Sequence, residues 1–200
     1  MNRSIAILLS VIFHPIFVNL LCLLSLLYWH PFVDASLSSD GKLFYTIYVF
    51  ITTGMIPLLL VVARKFMGYS KSIMLENADE RHVPYIASAC ANLFGYYLFI
   101  KIGTPKPLQA LLLAQATISV LLLIINFKTK ISAHATCLGC LIGVFLAISP
   151  ISFIDMRVPI IIAFIVAGIT ASARVFLQAH SLTQIYSGFA LGLFVMAVLI

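Results

Sequence analysis

Charged residues are scarce in this chain. Only 9% of its 200 residues are charged, whereas 62% are hydrophobic and the mean hydropathy is +1.14. Soluble domains carry about 25% charged residues, and a chain with so few cannot cover a water-facing surface. The shortage of charge therefore excludes a soluble globular protein and predicts a protein that is embedded in a membrane.

Acidic residues are the scarcest of the charged ones. The chain has 6 Asp and Glu against 12 Lys and Arg, which gives a formal net charge of +6. Because no basic face interleaved with aromatic residues is present, we expect no nucleic-acid partner. Because no carboxylate cluster suited to Mg²⁺ or zinc lies within the apolar segments, we expect no metal and no cofactor. The cations lie between apolar runs, where anionic head groups or a phosphorylated ligand would meet them.

Linkers, low-complexity stretches and a signal-peptide cleavage site are also missing. The first apolar run continues to Trp29 without a small-residue cleavage site, so we interpret it as a membrane helix. Because the composition does not shift along the chain, we predict one integral membrane domain, residues 1–200. The CxxC spacing of Cys137 and Cys140 lies inside a predicted helix, and we interpret it as helix packing.

Long apolar runs are abundant in the sequence. A bilayer-spanning helix needs about 20 apolar residues, and helices satisfy all their backbone hydrogen bonds internally. We therefore predict an all-α fold, a polytopic transmembrane bundle of six or seven helices, with a kink at His14-Pro15. The expected location is the bacterial cytoplasmic membrane, and the oligomeric state stays open. The candidate segments are 5–29, 43–63, 83–100, 107–127, 133–149, 158–177 and 184–200.

Small residues recur at helical spacing in two of these segments. Gly139 and Gly143 form one GxxxG pair, and Gly188 and Gly192 form another. Glycines at this spacing let two helix backbones approach closely. We expect them to pack helices tightly inside one bundle rather than to form a dimer.

Basic and histidine residues converge on one membrane face if the chain crosses seven times. The loops after the second, fourth and sixth segments then share the side of the N-terminus. The positive-inside rule would make this face cytoplasmic, but the rule loses force where cations serve a site, so the orientation stays open. The residues on this face are Arg64, Lys65, Lys71, Arg81, His82, Lys128, Lys130, His134, Arg174 and His180.

Two segments on this face combine residues that suit phosphate chemistry. In the first, Lys130 is followed by Ser132 at a helix N-cap position and His134 in the first turn. Free N–H groups and the helix dipole attract a phosphate there. In the second, Arg174 can donate two hydrogen bonds to phosphate oxygens, and His180 lies nearby in sequence. Two histidines can divide the chemistry, one attacking phosphorus and the other protonating the leaving oxygen.

These segments resemble the motifs of the type 2 phosphatidic acid phosphatase (PAP2) superfamily of membrane lipid phosphatases. That family has K-x6-RP, then PSGH at a helix start, then SR-x5-H-x3-D. Here the second motif reads Ile131-Ser132-Ala133-His134, and the third has Arg174, five residues, His180, three residues and Gln184. Lys71 and Arg81, with Pro84, are the candidates for the first motif, at a longer spacing. The resemblance covers approximately residues 43–200.

The resemblance implies a site that hydrolyses a phosphate monoester or pyrophosphate headgroup without a metal. His180 would form a phosphohistidine and His134 would act as general acid. Arg174, Ser132, Arg81, Lys71 and Lys130 would bind the phosphate. Gln184 stands where the family has the Asp that orients the nucleophile, which predicts an impaired or altered enzyme. Glu76, Asp79 or Glu80 are candidates for supplying the missing carboxylate.

Other interpretations of the same residues stay open. The run from Ser181 to Gln184 forms a capping box, Ser132 suits an N-cap, and Arg174 and Lys130 suit anchors at the membrane interface. The main alternative function is a catalytically impaired PAP2-like protein that binds or moves phosphorylated lipids. An unrelated transporter is disfavoured, because the second to seventh predicted helices carry almost no ionisable residues at mid-membrane depth.

Overall fold

The computed structural model describes residues 1–69 and 79–200, and all regular elements of these residues are helices. They include a π-helical turn, Phe50–Met55, and a 3₁₀ turn, Asp79–Arg81. The helices are α1 (Arg3–Ile12), α2 (Pro15–Trp29), α3 (Pro31–Ser36), α4 (Ser39–Val49), α5 (Ile56–Phe66), α6 (His82–Lys101), α7 (Lys106–Asn126), α8 (Ala133–Ile148), α9 (Arg157–Phe176) and α10 (Leu182–Leu199).

Five helical stretches of the described chain are long and apolar enough to cross a membrane. They are Ser39–Phe66, Asp79–Lys101, Lys106–Asn126, Arg157–Phe176 and Leu182–Leu199, and the bent pair α1 and α2 makes a sixth if it is one span. The remaining predicted segment, 133–149, forms the shorter apolar helix α8 of 16 residues. These helices fit an integral multi-pass membrane protein, as the composition predicted.

The first predicted span is broken at Pro15, so the expected kink is confirmed. α1 and α2 meet at an angle of 40°. Proline has no N–H and cannot continue a helical hydrogen-bond ladder. The His14 N–H turns to the carbonyl of Val11, at 3.3 Å, so the Ser10 carbonyl loses its usual partner four residues on. The hinge therefore leaves the Ser10 carbonyl available to another part of the protein.

A second proline accounts for the π turn between α4 and α5. Pro57 cannot donate a hydrogen bond to Thr53, and its ring would collide with that carbonyl in a regular helix. The ladder widens here, and the N–H of Ile56 bonds the carbonyl of Ile51, five residues back. The turn brings Thr53 and Gly54 to the wall of the cavity described below.

The glycine pairs pack α8 against α10 within one chain, as the sequence predicted. A methyl group at Gly192 would collide with the carbonyl of Thr136, and one at Gly139 with that of Phe189. A methyl group at Gly188 would lie only 2.8 Å from the Ser132 carbonyl. This close contact brings the starts of α8 and α10 together, where the Ser132 N–H bonds the Gln184 carbonyl at 3.1 Å.

Candidate functional site

A cavity of about 390 Å³ lies among the α1–α2 hinge, the π turn and the helices α6, α7 and α8. Four of the predicted site residues line it together: Arg81, His134, Arg174 and His180. They come from the start of α6, the first turn of α8, the last turn of α9 and the loop that follows α9. The described lining contains no Asp or Glu, so its charge is positive.

His180 reaches the cavity because the chain reverses sharply after α9. Gln178 has φ of 54°, in the left-handed region that ends many helices, and the Ala179 N–H bonds the carbonyl of Arg174 at 3.1 Å. The turn places His180 beside the last turn of α9, where the His180 side chain is 7% exposed. The Arg174-to-His180 spacing therefore corresponds to a helix end plus one tight turn.

Gln184 fixes the orientation and tautomer of His180. Its Oε1 accepts a hydrogen bond from the Ser181 N–H at 3.2 Å and lies 3.2 Å from His180 Nδ1. Since Oε1 only accepts, Nδ1 must carry the proton, which leaves Nε2 with its lone pair. The Ser181 hydroxyl completes the capping box by accepting from the Gln184 N–H. One amide oxygen therefore caps α10 and orients His180, so the two interpretations of Gln184 are compatible.

The surroundings of His180 keep its imidazole neutral. Burial, followed by the positive charges of Arg81, Arg174 and Lys130, lowers its pKa from 6.5 to about 4, against the hydrogen bond with Gln184, which raises the pKa. Near neutral pH the ring is therefore uncharged. An unprotonated Nε2 with neighbouring cations is suited to attack an electrophile that carries negative charge.

Arg174 is only partly satisfied by the protein. Its Nη1 donates to the Ser10 hydroxyl at 3.3 Å, and its buried Nε has no partner among the described residues. The Ser10 hydroxyl itself donates to the Ala6 carbonyl at 2.9 Å. A half-buried guanidinium that bonds a neutral hydroxyl retains donors for an anion.

His134 is held by the hinge of the first span. Its Nε2 lies 3.0 Å from the Ser10 carbonyl, the one freed by Pro15, so Nε2 carries a proton and donates it. The His14 ring meets the His134 ring edge to face, with centroids 5.5 Å apart. Ser10 thus contacts both Arg174 and His134.

Sequence reasoning did not place Ser10 and His14 in the site. Both lie before residue 43, where the family resemblance begins, yet both line the cavity. A signal was present, because a histidine inside an apolar segment is costly in a membrane and usually has a function there. The sequence pattern of His14 and Pro15 predicts only a helix kink.

Two of the predicted phosphate-binding residues, Ser132 and Lys130, do not line the cavity, whereas Arg81 does. Ser132 is fully buried, and its hydroxyl accepts from the Ala135 N–H at 3.4 Å as the N-cap of α8. Arg81 lines the cavity and donates from Nη1 to the Ile131 carbonyl at 3.3 Å, which ties α6 to the start of α8. Lys130 contributes to the field at His180 without lining the cavity.

Two of the three candidates for a missing carboxylate do not line the cavity. Asp79 and Glu80 lie in the 3₁₀ turn before α6, and neither belongs to the described wall. Lys71 and Glu76 lie outside the described residues. Within residues 1–69 and 79–200, no group of three or more His, Cys, Asp or Glu side chains is placed to hold a metal ion.

The chain was compared with protein-family models, with curated proteins and with solved structures, and none of them matches. The described residues form a multi-pass helical membrane protein whose cavity is lined by Arg81 and Arg174 and, among these residues, by no Asp or Glu. The chemistry of that site is the basis for any functional assignment.

Proposed function

We propose that this protein is a membrane-embedded lipid phosphatase of the PAP2 type, acting on a phosphate monoester or pyrophosphate headgroup. The observation that carries the proposal is that Arg81, His134, Arg174 and His180 line one cavity whose described wall has no carboxylate. Two guanidiniums and two histidines around one space attract a phosphate and can activate it. The bacterial cytoplasmic membrane stays a prediction for its location.

In the proposed reaction Nε2 of His180 forms a bond to phosphorus as the bond from phosphorus to the leaving oxygen breaks. Arg174 and Arg81 stabilise the charge on the phosphoryl oxygens. The leaving oxygen takes a proton from the imidazolium form of His134, which becomes neutral, and departs as the lipid alcohol, or as a lipid phosphate if the substrate is a pyrophosphate. Water then attacks the phosphohistidine, gives a proton back to His134 and releases inorganic phosphate.

Two features of the site oppose fast turnover. Gln184 orients His180 but carries no charge to stabilise an imidazolium, and in serine proteases the change from Asp to Asn lowers turnover about 10⁴-fold. His134 already donates from Nε2 to the Ser10 carbonyl. To protonate a leaving group from that atom, it must release the α1–α2 hinge.

These features support the second candidate function, a PAP2-like protein that binds or moves phosphorylated lipids without hydrolysing them. The cationic cavity is common to both functions. They differ only in whether the phosphoryl group is transferred to His180, so one set of measurements separates them.

The test is phosphate release by the purified protein in detergent from a panel of lipid phosphates and pyrophosphates. Under the phosphatase proposal, His180→Ala abolishes release and Gln184→Asp raises it. His82→Ala is the matched control, because His82 packs on Phe127 with ring centroids 4.6 Å apart and does not line the cavity.

Binding of the same lipids decides between the remaining outcomes. Absence of release from the parent and from Gln184→Asp, together with binding that is lost in Arg174→Ala, would favour the lipid-binding function. If the protein shows no phosphate release and no binding that depends on Arg174, both functions are contradicted. Arg157→Ala serves as the control, because Arg157 is exposed and pairs with Asp155 at 2.6 Å, away from the cavity.

A further inference from the structure

The inner half of the cavity is lined by uncharged polar residues from four parts of the bundle. α6 and α7 each contribute two of these residues, and the two helices face α2 and the π turn across the cavity. The charged residues of the described lining lie at helix ends, Arg81 just before α6 and Arg174 in the last turn of α9, and we call this part of the cavity its outer end. The inner polar lining consists of Asn19, Thr53, Ser88, Asn92, Gln115 and Ser119.

These residues lie deeper in the helix bundle than Arg81 and Arg174. With a rise of 1.5 Å per residue, Ser88 lies about 10 Å and Asn92 about 16 Å along α6 from Arg81. Gln115 lies near the middle of the 21-residue helix α7. Polar side chains at this depth of a membrane protein are costly and commonly mark a binding site or a path.

The polar groups of α6 and α7 are only partly satisfied by one another. The hydroxyls of Ser88 and Ser119 are 3.0 Å apart, and the Asn92 amide donates to the Ser88 carbonyl at 2.8 Å. Asn92 Oδ1 and both amide atoms of Gln115 have no partner among the described residues, although these two residues are only 1% and 5% exposed. The described neighbours thus leave one donor group and two acceptors without a bond.

Unpaired buried amides cost free energy, and lipid offers them no water. Both residues line the cavity, so a molecule inside it is the nearest source of partners. An amide offers N–H donors and a carbonyl acceptor, which match a hydroxyl or another amide. A hydrocarbon chain would leave these atoms unpaired.

We propose that Gln115 and Asn92 form a second subsite that binds an uncharged hydroxyl or amide group in the apolar part of the ligand. The inference rests on the proposed phosphate site, which fixes the other end of the molecule. The ligand is then an amphiphile with a phosphate at one end and an uncharged hydrogen-bonding group deep in its chain. A phosphorylated lipid with an all-hydrocarbon chain would bind less tightly.

The experiment measures affinities of three alkyl phosphates of equal chain length for the purified, detergent-solubilised protein. One has no hydroxyl, one has a hydroxyl next to the phosphate, and one has a hydroxyl in mid-chain. We expect the mid-chain hydroxyl to increase affinity up to about tenfold over the unsubstituted chain, as one net hydrogen bond allows. The hydroxyl next to the phosphate should give no such gain.

Substitution then tests the residue that makes the subsite. Gln115→Leu should abolish the gain from the mid-chain hydroxyl, so that the chain with the mid-chain hydroxyl binds no more tightly than the unsubstituted chain. Thr117→Val is the matched control in the same helix, because Thr117 bonds its own helix at Leu113 and does not line the cavity. The comparison of hydroxyl positions in the parent protein needs no variant, so it holds even if Gln115→Leu does not fold.

Other outcomes overturn the inference or the proposed function separately. Equal affinities for the three chains, as expected if only water fills the inner cavity, would overturn the subsite and leave the phosphate site intact. A gain that survives Gln115→Leu would also overturn it. If the unsubstituted phosphate binds no better than the corresponding alcohol, and Arg174→Ala changes nothing, the proposed phosphate site fails and the subsite fails with it.

Discussion

Arg174 in α9 donates a hydrogen bond to the hydroxyl of Ser10 in α1, at 3.3 Å, across 164 positions of the sequence. The same Ser10 accepts a hydrogen bond from His134 on its backbone carbonyl. The end of α1 therefore contacts two groups of the proposed phosphate site. A phosphate that binds to Arg174 must share it with Ser10 or displace the hydroxyl.

Removal of the Ser10 hydroxyl should strengthen phosphate binding. Ser10→Ala frees Arg174 Nη1 but keeps the backbone carbonyl that holds His134, so affinity for a lipid phosphate should rise roughly three- to tenfold. Affinity measured in detergent checks this, with Ser172→Ala as the control, because the exposed Ser172 bonds only its own helix at Gly168. A weaker affinity for Ser10→Ala would mean that Ser10 itself binds the ligand.

Gln184→Asp should raise the pKa of His180 from about 4 toward its ordinary value of 6.5. The new carboxylate would favour the imidazolium form, which burial and the nearby cations now disfavour. The proton NMR titration of the His180 ring measures the change. Gln184→Ala should instead destabilise the start of α10 by about 1 kcal/mol, because it removes the capping box.

Acid should destabilise the folded protein through His180. The folded-state pKa of about 4 lies below the ordinary 6.5, so between these values the unfolded chain binds the proton first. The contribution of His180 to stability should therefore fall as the pH falls from 6.5 to 4 and level off below. Thermal unfolding in detergent across this range measures it, and the pH dependence should be shallower in His180→Gln. Identical profiles for the two proteins would contradict the assigned pKa.

The glycines between α8 and α10 should tolerate no side chain. Gly192→Ala should destabilise the protein by about 3 kcal/mol or more, because the methyl group meets a backbone carbonyl that cannot rotate away. Gly168→Ala is the matched control, since its Cβ would meet nothing within 4 Å. That change should be neutral or stabilise by up to about 1 kcal/mol through helix propensity. Melting temperatures measured in detergent compare the two variants. Equal losses of stability would contradict the close packing of α8 on α10.

The turn at Gln178 should accept glycine but not valine. Its φ of 54° suits glycine, so Gln178→Gly should leave stability nearly unchanged. Gln178→Val should cost about 1–2 kcal/mol, because a β-branched residue is strained in the left-handed region. Thermal unfolding measures both, and phosphate binding should weaken in Gln178→Val as His180 is displaced. Equal stability of the two variants would show that the turn does not hold this conformation.

The sequence by itself determined the membrane class, the helical segments, the kink at Pro15 and the close packing of the four glycines. These follow from local chemistry: the length of apolar runs, the missing N–H of proline and the missing side chain of glycine. The spacing of Arg174, His180 and Gln184 was also sufficient to predict their proximity, because they flank one helix end and one turn.

Only the tertiary structure decided which distant residues share the cavity. Ser10 and His14 enter the site because Pro15 frees a carbonyl that His134, 124 positions away, then binds. Ser132 leaves the wall because the α8–α10 contact buries it completely. Gln115 and Asn92 come to line one space because α6 packs on α7. Side-chain proximity between helices depends on how the helices rotate and cross, and no local pattern in one sequence fixes that geometry.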